Sequence, residues 1–429
     1  MTIAPLRPEA RTASPAFPWA GLVALAVATF LSISGEVLPT GLLPEMSADL
    51  GVSESEVGLL VSVFAFTVVL TSTGLTHLTR RLARHRLVVG LIVVLAISAA
   101  LTAIAPTYEL VVASRVLGGL AHGVFWAVGG AYAGHLVPRE QVGRALAVAL
   151  SGGTLAFVLG VPLGTALGQA LGWRAAFAVL AAAMALGALL VWRLLPPVAG
   201  APRRVQAGAG GEADAGAARV ESSEPRPETA SIGTAHRPAP SVLGIVLSCL
   251  VTMVFMVGHY SFFTYIAPYL TRSSGLPESA LSGALFAFGI AGAVGLLMVG
   301  LFLGRRPRVS VPIGMGVVAA AVAAMVFFEG RPTPSLVAFV VWGVMFGALP
   351  PLLQTRMLQV APSRLRDIAS AFYTTGFNAG IGGGALIGAL VLDGPGLDAL
   401  PVLYVGTAVV VLVGVVATDR LLARRSARG

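Results

Sequence analysis

Long runs of apolar residues, following one another along most of the chain, limit what this sequence can fold into more than any other feature. A hydrocarbon core of about 30 Å needs roughly 20 consecutive apolar residues per helix. Runs of that kind lie near 19–42, 57–78, 87–105, 109–136, 145–168 and 174–195. A second set lies near 241–266, 279–303, 309–328, 334–357, 367–391 and 398–418. The expected fold class is therefore an all-α membrane protein with twelve transmembrane helices. Composition points the same way, since only 11% of the 429 residues are charged and 56% are hydrophobic. A soluble surface of this size needs far more charge. The first run is long and no small-residue cleavage site ends a short apolar core, so it reads as a retained helix.

The chain contains no lysine, so its orientation must be read from arginine. In a twelve-span scheme, 24 of the 28 arginines fall on one side. Arg174, Arg272 and Arg331 fall on the other, and Arg115 lies within a span. The positive-inside rule places the arginine-rich side, and both termini with it, in the cytoplasm. The formal charge of +9 does not mark a nucleic-acid binder, because these arginines flank helices, where they meet anionic headgroups. The single Cys249 lies inside the seventh span and reads as a small apolar packing residue.

Residues 197–240 break the pattern. This stretch is rich in Pro, Ala, Gly, Glu and Arg and nearly devoid of large apolar residues, so it is expected to be a disordered cytoplasmic linker. The expected organisation is a cytoplasmic tail at 1–18, a six-helix bundle at 19–196, the linker, a second bundle at 241–418 and a basic tail at 419–429. The two bundles match at a constant offset of 224 residues. Thr40 pairs with Thr264, Pro44 with Pro268, Gly51 with Gly275 and Glu54 with Glu278. Arg81 and Arg84 pair with Arg305 and Arg308, and Gly119 and Gly123 with Gly343 and Gly347. A duplicated six-helix unit in parallel orientation is a known transporter architecture. In the fifth and eleventh spans, Ala156, Gly160, Gly164 and Gly168, and Gly376, Gly380, Gly384 and Gly388, recur every fourth residue. That spacing leaves a smooth groove for another helix backbone, expected to serve simple packing, which between halves that rock would also be part of a transport mechanism.

Few residues here carry chemistry. Of 19 acidic residues, Glu36 is the one read as lying well inside a span. A carboxylate in hydrocarbon costs about 2.5–3.5 kcal/mol, so it is a functional candidate. Arg115, read as the one arginine deep in a span, sits at a similar depth, roughly 9 Å from the outer surface at 1.5 Å per residue. Direct or near pairing of the two is expected, with proton binding as the consequence. His122, two turns along from Arg115, is a second candidate proton site or relay. At the repeat offset Arg115 corresponds to Phe339 and Glu36 to Tyr260. The ionisable pair belongs to the first half alone, which suggests coupling there and substrate packing in the second. No GxxxxGK[ST] motif, metal-ligand cluster or nucleophile–base pair occurs, so energy must come from an ion gradient. One charge moved through about 100 mV releases about 2.3 kcal/mol, enough for a gradient on the order of 50-fold.

The run GEVLPTGLLPEMSADLGVSESEVGLLVSVFAF (35–66) resembles the drug:proton antiporters of the major facilitator superfamily. Among these it is most like the bacterial arabinose-efflux-like and chloramphenicol-resistance-like exporters. RVLGGLAHG (115–123) is similar to the fourth-helix motif whose arginine is implicated in proton coupling, a role the resemblance gives to Arg115. GVPLGTALGQALGWRAAF (160–177) resembles the fifth-helix antiporter motif, carried here by Gly152, Gly160, Pro162 and Gly164. WGVMFGALPPLLQT (342–355) and FNAGIGGGALIG (377–388) also look like this branch. The resemblance implies two pseudo-symmetric six-helix bundles around a central cavity lined by helices 1, 4, 7 and 10. It further implies alternating access, a proton as coupling ion with no cofactor, a small-molecule substrate, and a monomer in the bacterial plasma membrane. Trp126, His259, Tyr260, Phe263, Gln354 and Asn378 are the expected cavity residues. The gating loop between helices 2 and 3 keeps Gly74, Arg80, Arg81 and Arg84. It has Leu78 and Thr79 where the superfamily carries an aspartate, so a gate locked by that acid is not implied. Exporters of sugars or nucleosides and uptake symporters remain open alternatives within transport; a non-transporting sensor or scaffold would be expected to carry longer signalling domains.

Overall fold

The computed structural model describes residues 17–196 and 242–426. The expected linker at 197–240, most of the expected N-terminal tail and residues 427–429 lie outside the described residues. Among the described residues, twelve helices are long and apolar enough to cross a membrane. They are α1 (Trp19–Gly41), α2 (Glu54–Thr79), α3 (Arg84–Ile104), α4 (Tyr108–His135), α5 (Val142–Leu171) and α6 (Trp173–Leu194). The second six are α7 (Val242–Phe263), α8 (Glu278–Leu301), α9 (Pro307–Phe327), α10 (Pro332–Val360), α11 (Ile368–Asp393) and α12 (Ala399–Leu421). Each covers one of the twelve apolar runs. Both ends of the described chain lie on one face, the terminal face; connections such as 42–53, which holds a short helix at Leu43–Leu50, and 264–277 lie on the far face.

The duplication is visible in the backbone. Shifted by 224 residues, the start of each of the first six helices lands within two residues of a start in the second six. Two left-handed turns repeat with it, Gly51 (φ 67°) with Gly275 (φ 73°) and Gly172 (φ 86°) with Gly396 (φ 101°). Glycine adopts that conformation with no Cβ penalty.

The glycine stripes pack helices closely as expected, but within each half and not between the halves. A Cβ on Gly152, Gly160, Gly164 or Gly168 would collide with Ala26, Ser34, Leu38 or Leu42, so the stripe of α5 seats that helix against α1 and the residue that follows it. A Cβ on Gly380, Gly384 or Gly388 would collide with Met253, Val257 or Ser261 on α7, and Gly376 lies over Cys249. Each stripe therefore joins helices within one half, where close backbone approach favours a permanent contact. Pro162 adds a local defect. It lacks the N–H that would bond Val158, and the helix widens just before it into a π-helical stretch at Ala156–Gly160.

Contact between the halves falls to other faces, α2 on α11 and α5 on α8. Ser62 Oγ donates to the Gly382 carbonyl (2.8 Å), and Gln169 Nε2 to the Glu278 carbonyl (2.7 Å). Arg272 pairs with Glu54 on the far face, and Gly58 lies against Tyr265. Toward the terminal face the same two helices part, and Leu70, Thr73, Thr374 and Thr375 are exposed. From these contacts on the far side and this exposure on the near side we infer that the halves open toward the terminal face. The last helix runs to Ser426 and takes in Asp419, so the residues of the expected basic tail up to that point continue the helix.

Candidate functional site

The site begins with a proline. Pro39 lies inside α1, and without an N–H it leaves the carbonyl four residues earlier, at Gly35, with no helical donor. Arg115 Nη1 supplies one at 2.6 Å, and Nη2 donates to the next carbonyl, Glu36, at 2.6 Å. The guanidinium also lies over the Phe64 ring, 4.4 Å from its centroid. Of the direct or near pairing expected between Arg115 and the Glu36 carboxylate, the direct form is absent and the near form is present, the two charges lying close enough to interact. The planar fork clasps two successive carbonyls, one of which needs a donor.

The Glu36 carboxylate instead faces His122, with Oε2 3.4 Å from Nε2. His122 Nδ1 lies 2.9 Å from Ser32 Oγ, and its ring stands edge-on to Phe64 at 5.1 Å. Glu36, Arg115 and His122 are all buried, at 6%, 3% and 3% exposure, so lipid and the open crevice are both excluded from the cluster. Glu36 Oε1 and Arg115 Nε are buried with no hydrogen-bond partner in the protein. A carboxylate with one oxygen on an imidazole and the other unpartnered can take up and release a proton without dismantling the fold around it.

The second half holds rings at the same depth. His259, Tyr260 and Phe263, expected to line an open cavity, are sealed at 0%, 1% and 3% exposure. His259 stacks on Phe346 with ring centres 3.7 Å apart and planes 4° from parallel. Phe263, Trp342 and Tyr404 surround it. The physical reason is collapse: apolar rings with no ionic partner close on each other. The other three expected cavity residues are reachable. Trp126 is about one-third exposed, and Gln354 and Asn378 are half-buried, with Asn378 Nδ2 donating to Thr374 of its own helix (3.0 Å). Gly74 is exposed inside α2, Arg80 and Arg81 are exposed in the loop that follows it, and Arg84 opens α3.

Sequence reasoning missed a second buried arginine. Arg356, 6% exposed inside α10, donates through Nη2 to Asp419 Oδ1 (2.7 Å) and to the Val415 carbonyl (3.0 Å) of the last helix. The signal was present as an arginine followed at once by Met357 and Leu358. At the repeat offset Tyr132 takes its place, and its hydroxyl donates to the Pro196 carbonyl just after α6 (2.7 Å).

Two repeated six-helix halves, joined on one face and parted on the other around buried ionisable groups, have the build of a membrane transporter. The family model of the Major Facilitator Superfamily matches residues 25–385 and 249–427, and the chain belongs to that superfamily. It is a transporter and not an enzyme. It is 30% identical over 371 residues to a probable sugar efflux transporter of Helicobacter pylori strain G27, covering 86% of this chain and 88% of that one. It is also 30% identical over 398 residues to a chloramphenicol efflux pump of Mycobacterium tuberculosis strain H37Rv, covering 90% of each. In fold it matches a bacterial homologue of the human lysosomal transporter Spinster, with a TM-score of 0.71 at 15% identity over 93% of this chain and 96% of that one. The nucleoside transporter NupG gives 0.70 at 13% identity over 94% and 99%.

Proposed function

We propose that this protein exports a small amphipathic organic compound across the bacterial plasma membrane in exchange for protons, by alternating access. The observation that carries this reading is the buried Glu36 carboxylate, held by His122 on one oxygen and unpartnered on the other. With the arginine-rich face cytoplasmic, the conformation described here is open to the cytoplasm and accepts substrate there. Rocking of the halves then closes the terminal face and parts the contacts at Glu54–Arg272 and Ser62–Gly382. The α5 stripe holds α1 to its own half, so Glu36 moves with that half and exchanges its proton with alternate sides. No cofactor beyond the proton is required. One chain carries both halves, so a monomer suffices.

The substrate class rests on the ring box of the second half, which is sealed in the conformation described here. The second half offers rings and few hydrogen-bonding side chains, which suits an amphipathic molecule such as the one named for the mycobacterial relative. A sugar exporter is the second reading, favoured by the name of the Helicobacter relative. The test is growth of a pump-deficient bacterial host expressing the chain, on chloramphenicol, other amphipathic antibiotics, dyes and toxic sugar analogues. The wild type is expected to protect against at least one amphipathic compound, and Glu36→Gln to remove that protection while reaching the membrane in equal amount. Undiminished protection by Glu36→Gln would sink the proton assignment.

A further inference from the structure

His259 is buried in a box of rings, and its two nitrogens are placed differently: one faces a hydroxyl and the other has no partner. Trp342 Nε1 can only donate, and it lies 3.2 Å from the Tyr404 oxygen. The Tyr404 hydroxyl lies 3.5 Å from His259 Nδ1, and with Trp342 occupying one lone pair its own proton is free to be donated there, the other arrangement being Nδ1–H donation to the same oxygen. In a neutral imidazole one nitrogen donates and the other accepts, so with Tyr404 as the donor to Nδ1 the ring proton sits on Nε2. That Nε2 is buried and has no partner.

The surroundings describe what it is built to meet. The imidazole has Phe346 parallel to it at 3.7 Å, and Tyr260, Trp342 and Tyr404 standing edge-on at 5.1–5.9 Å. Phe346 is the ring able to yield. Pro350 and Pro351 lie inside α10 and remove the N–H groups that would bond the carbonyls of Phe346 and Gly347. Phe346 also touches Phe157, in the π-helical stretch of α5 in the other half, at 6.2 Å. Its place is thus tied to how the halves fit together.

We propose that His259 Nε2–H is the recognition donor of the second half, offered to a planar, uncharged ring that carries a hydrogen-bond acceptor and takes the stacking place held by Phe346. The proposal rests on the export reading and adds the substrate class to it. A polyol fits this box poorly, because each buried hydroxyl needs its own partner and the box supplies chiefly ring faces. An aromatic nitro or carbonyl compound meets both features, through its face and its acceptor oxygen.

The test uses the full-length protein in lipid nanodiscs and equilibrium dialysis with radiolabelled chloramphenicol, with benzamide and arabinose as second and third probes. His259→Phe keeps a ring in the stack and removes the donor. It is expected to weaken binding of chloramphenicol or benzamide at least tenfold, equivalent to about 1.4 kcal/mol. Tyr404→Phe removes the proton that holds Nδ1 as acceptor and is expected to weaken binding about threefold, the same direction by a smaller step. If His259→Phe fails to accumulate, Tyr404→Phe decides alone, and unchanged affinity overturns the proposal. Affinity of His259→Phe within twofold of wild type overturns it, as does a wild type that binds arabinose and neither aromatic probe. Binding that depends on His259 in a protein giving no efflux overturns the export reading and leaves this one standing. Efflux that depends on Glu36 with binding indifferent to His259 does the reverse.

Discussion

At the same depth in the two halves, the same frame holds opposite chemistry. Under the 224-residue offset, Gly35, Glu36 and Pro39 correspond to His259, Tyr260 and Phe263, and Phe64 to Phe288. Arg115, Gly118 and His122 correspond to Phe339, Trp342 and Phe346. In the first half a guanidinium lies over Phe64 at 4.4 Å; in the second, Phe339 stacks on Phe288 at 4.6 Å. His122 meets a carboxylate, whereas Phe346 meets an imidazole. The glycine turns and several glycines of the paired stripes are kept in both halves. The frame was duplicated, and only the contents of its middle diverged, into a cluster of ionisable side chains on one side and a ring box on the other. Even the backbone followed, since the half without the arginine also lacks the proline that frees a carbonyl for it.

The largest effect should come from exchanging Gly118 for its counterpart. A Cβ at Gly118 already lies 2.7 Å from Ser98 Oγ and 3.0 Å from Phe64, so Gly118→Trp has no room for an indole. Overpacking of a fitted core typically costs 1–3 kcal/mol and more for a large ring. The variant is expected to give no monodisperse peak by fluorescence-detected size exclusion. A well-folded Gly118→Trp would mean that the two cores are interchangeable, and the comparison would lose its steric basis.

Arg115→Phe, which copies Phe339, should cost less stability and all of the transport. It leaves the Gly35 carbonyl without its donor, a loss of about 1–3 kcal/mol for a buried group, and removes the charge beside Glu36. Denaturant titration in micelles should show that drop, and proton-driven uptake into inverted vesicles should vanish. Retained uphill transport would show that the arginine is only a clasp.

The reading of the sequence reached the frame more easily than the contacts. Twelve spans were legible because bilayer thickness imposes run length on every helix. Glu36 and Arg115 stood out because charge in an apolar run is rare. Their geometry did not follow, since charges suggest pairing with each other while a freed carbonyl leaves no mark in side-chain pattern except Pro39 four residues on. The glycine stripes announced close packing without naming a partner, and the partner proved to be in the same half. Arg356 and Asp419 were hidden by position. They sit near helix ends, where arginine-rich flanks read as headgroup anchors, and only the crossing of α10 with the last helix brings them to 2.7 Å.

The smallest effect tests whether proline and arginine act as one device. Pro39→Ala returns an N–H to the Gly35 carbonyl, whose two lone pairs accept both the amide and Arg115. Stability should stay within about 1 kcal/mol of wild type, and efflux should fall less than about threefold. Its value lies in the double variant. If the clasp exists because Pro39 frees that carbonyl, adding Pro39→Ala to Arg115→Phe should recover about 1–2 kcal/mol of the stability lost, while transport stays absent. The first half would then resemble the second in both stability and inactivity. A double variant no more stable than Arg115→Phe alone would show that the arginine's structural role lies in its contact with Phe64 or Glu36, and that the missing proline of the second half is unrelated to its missing charge.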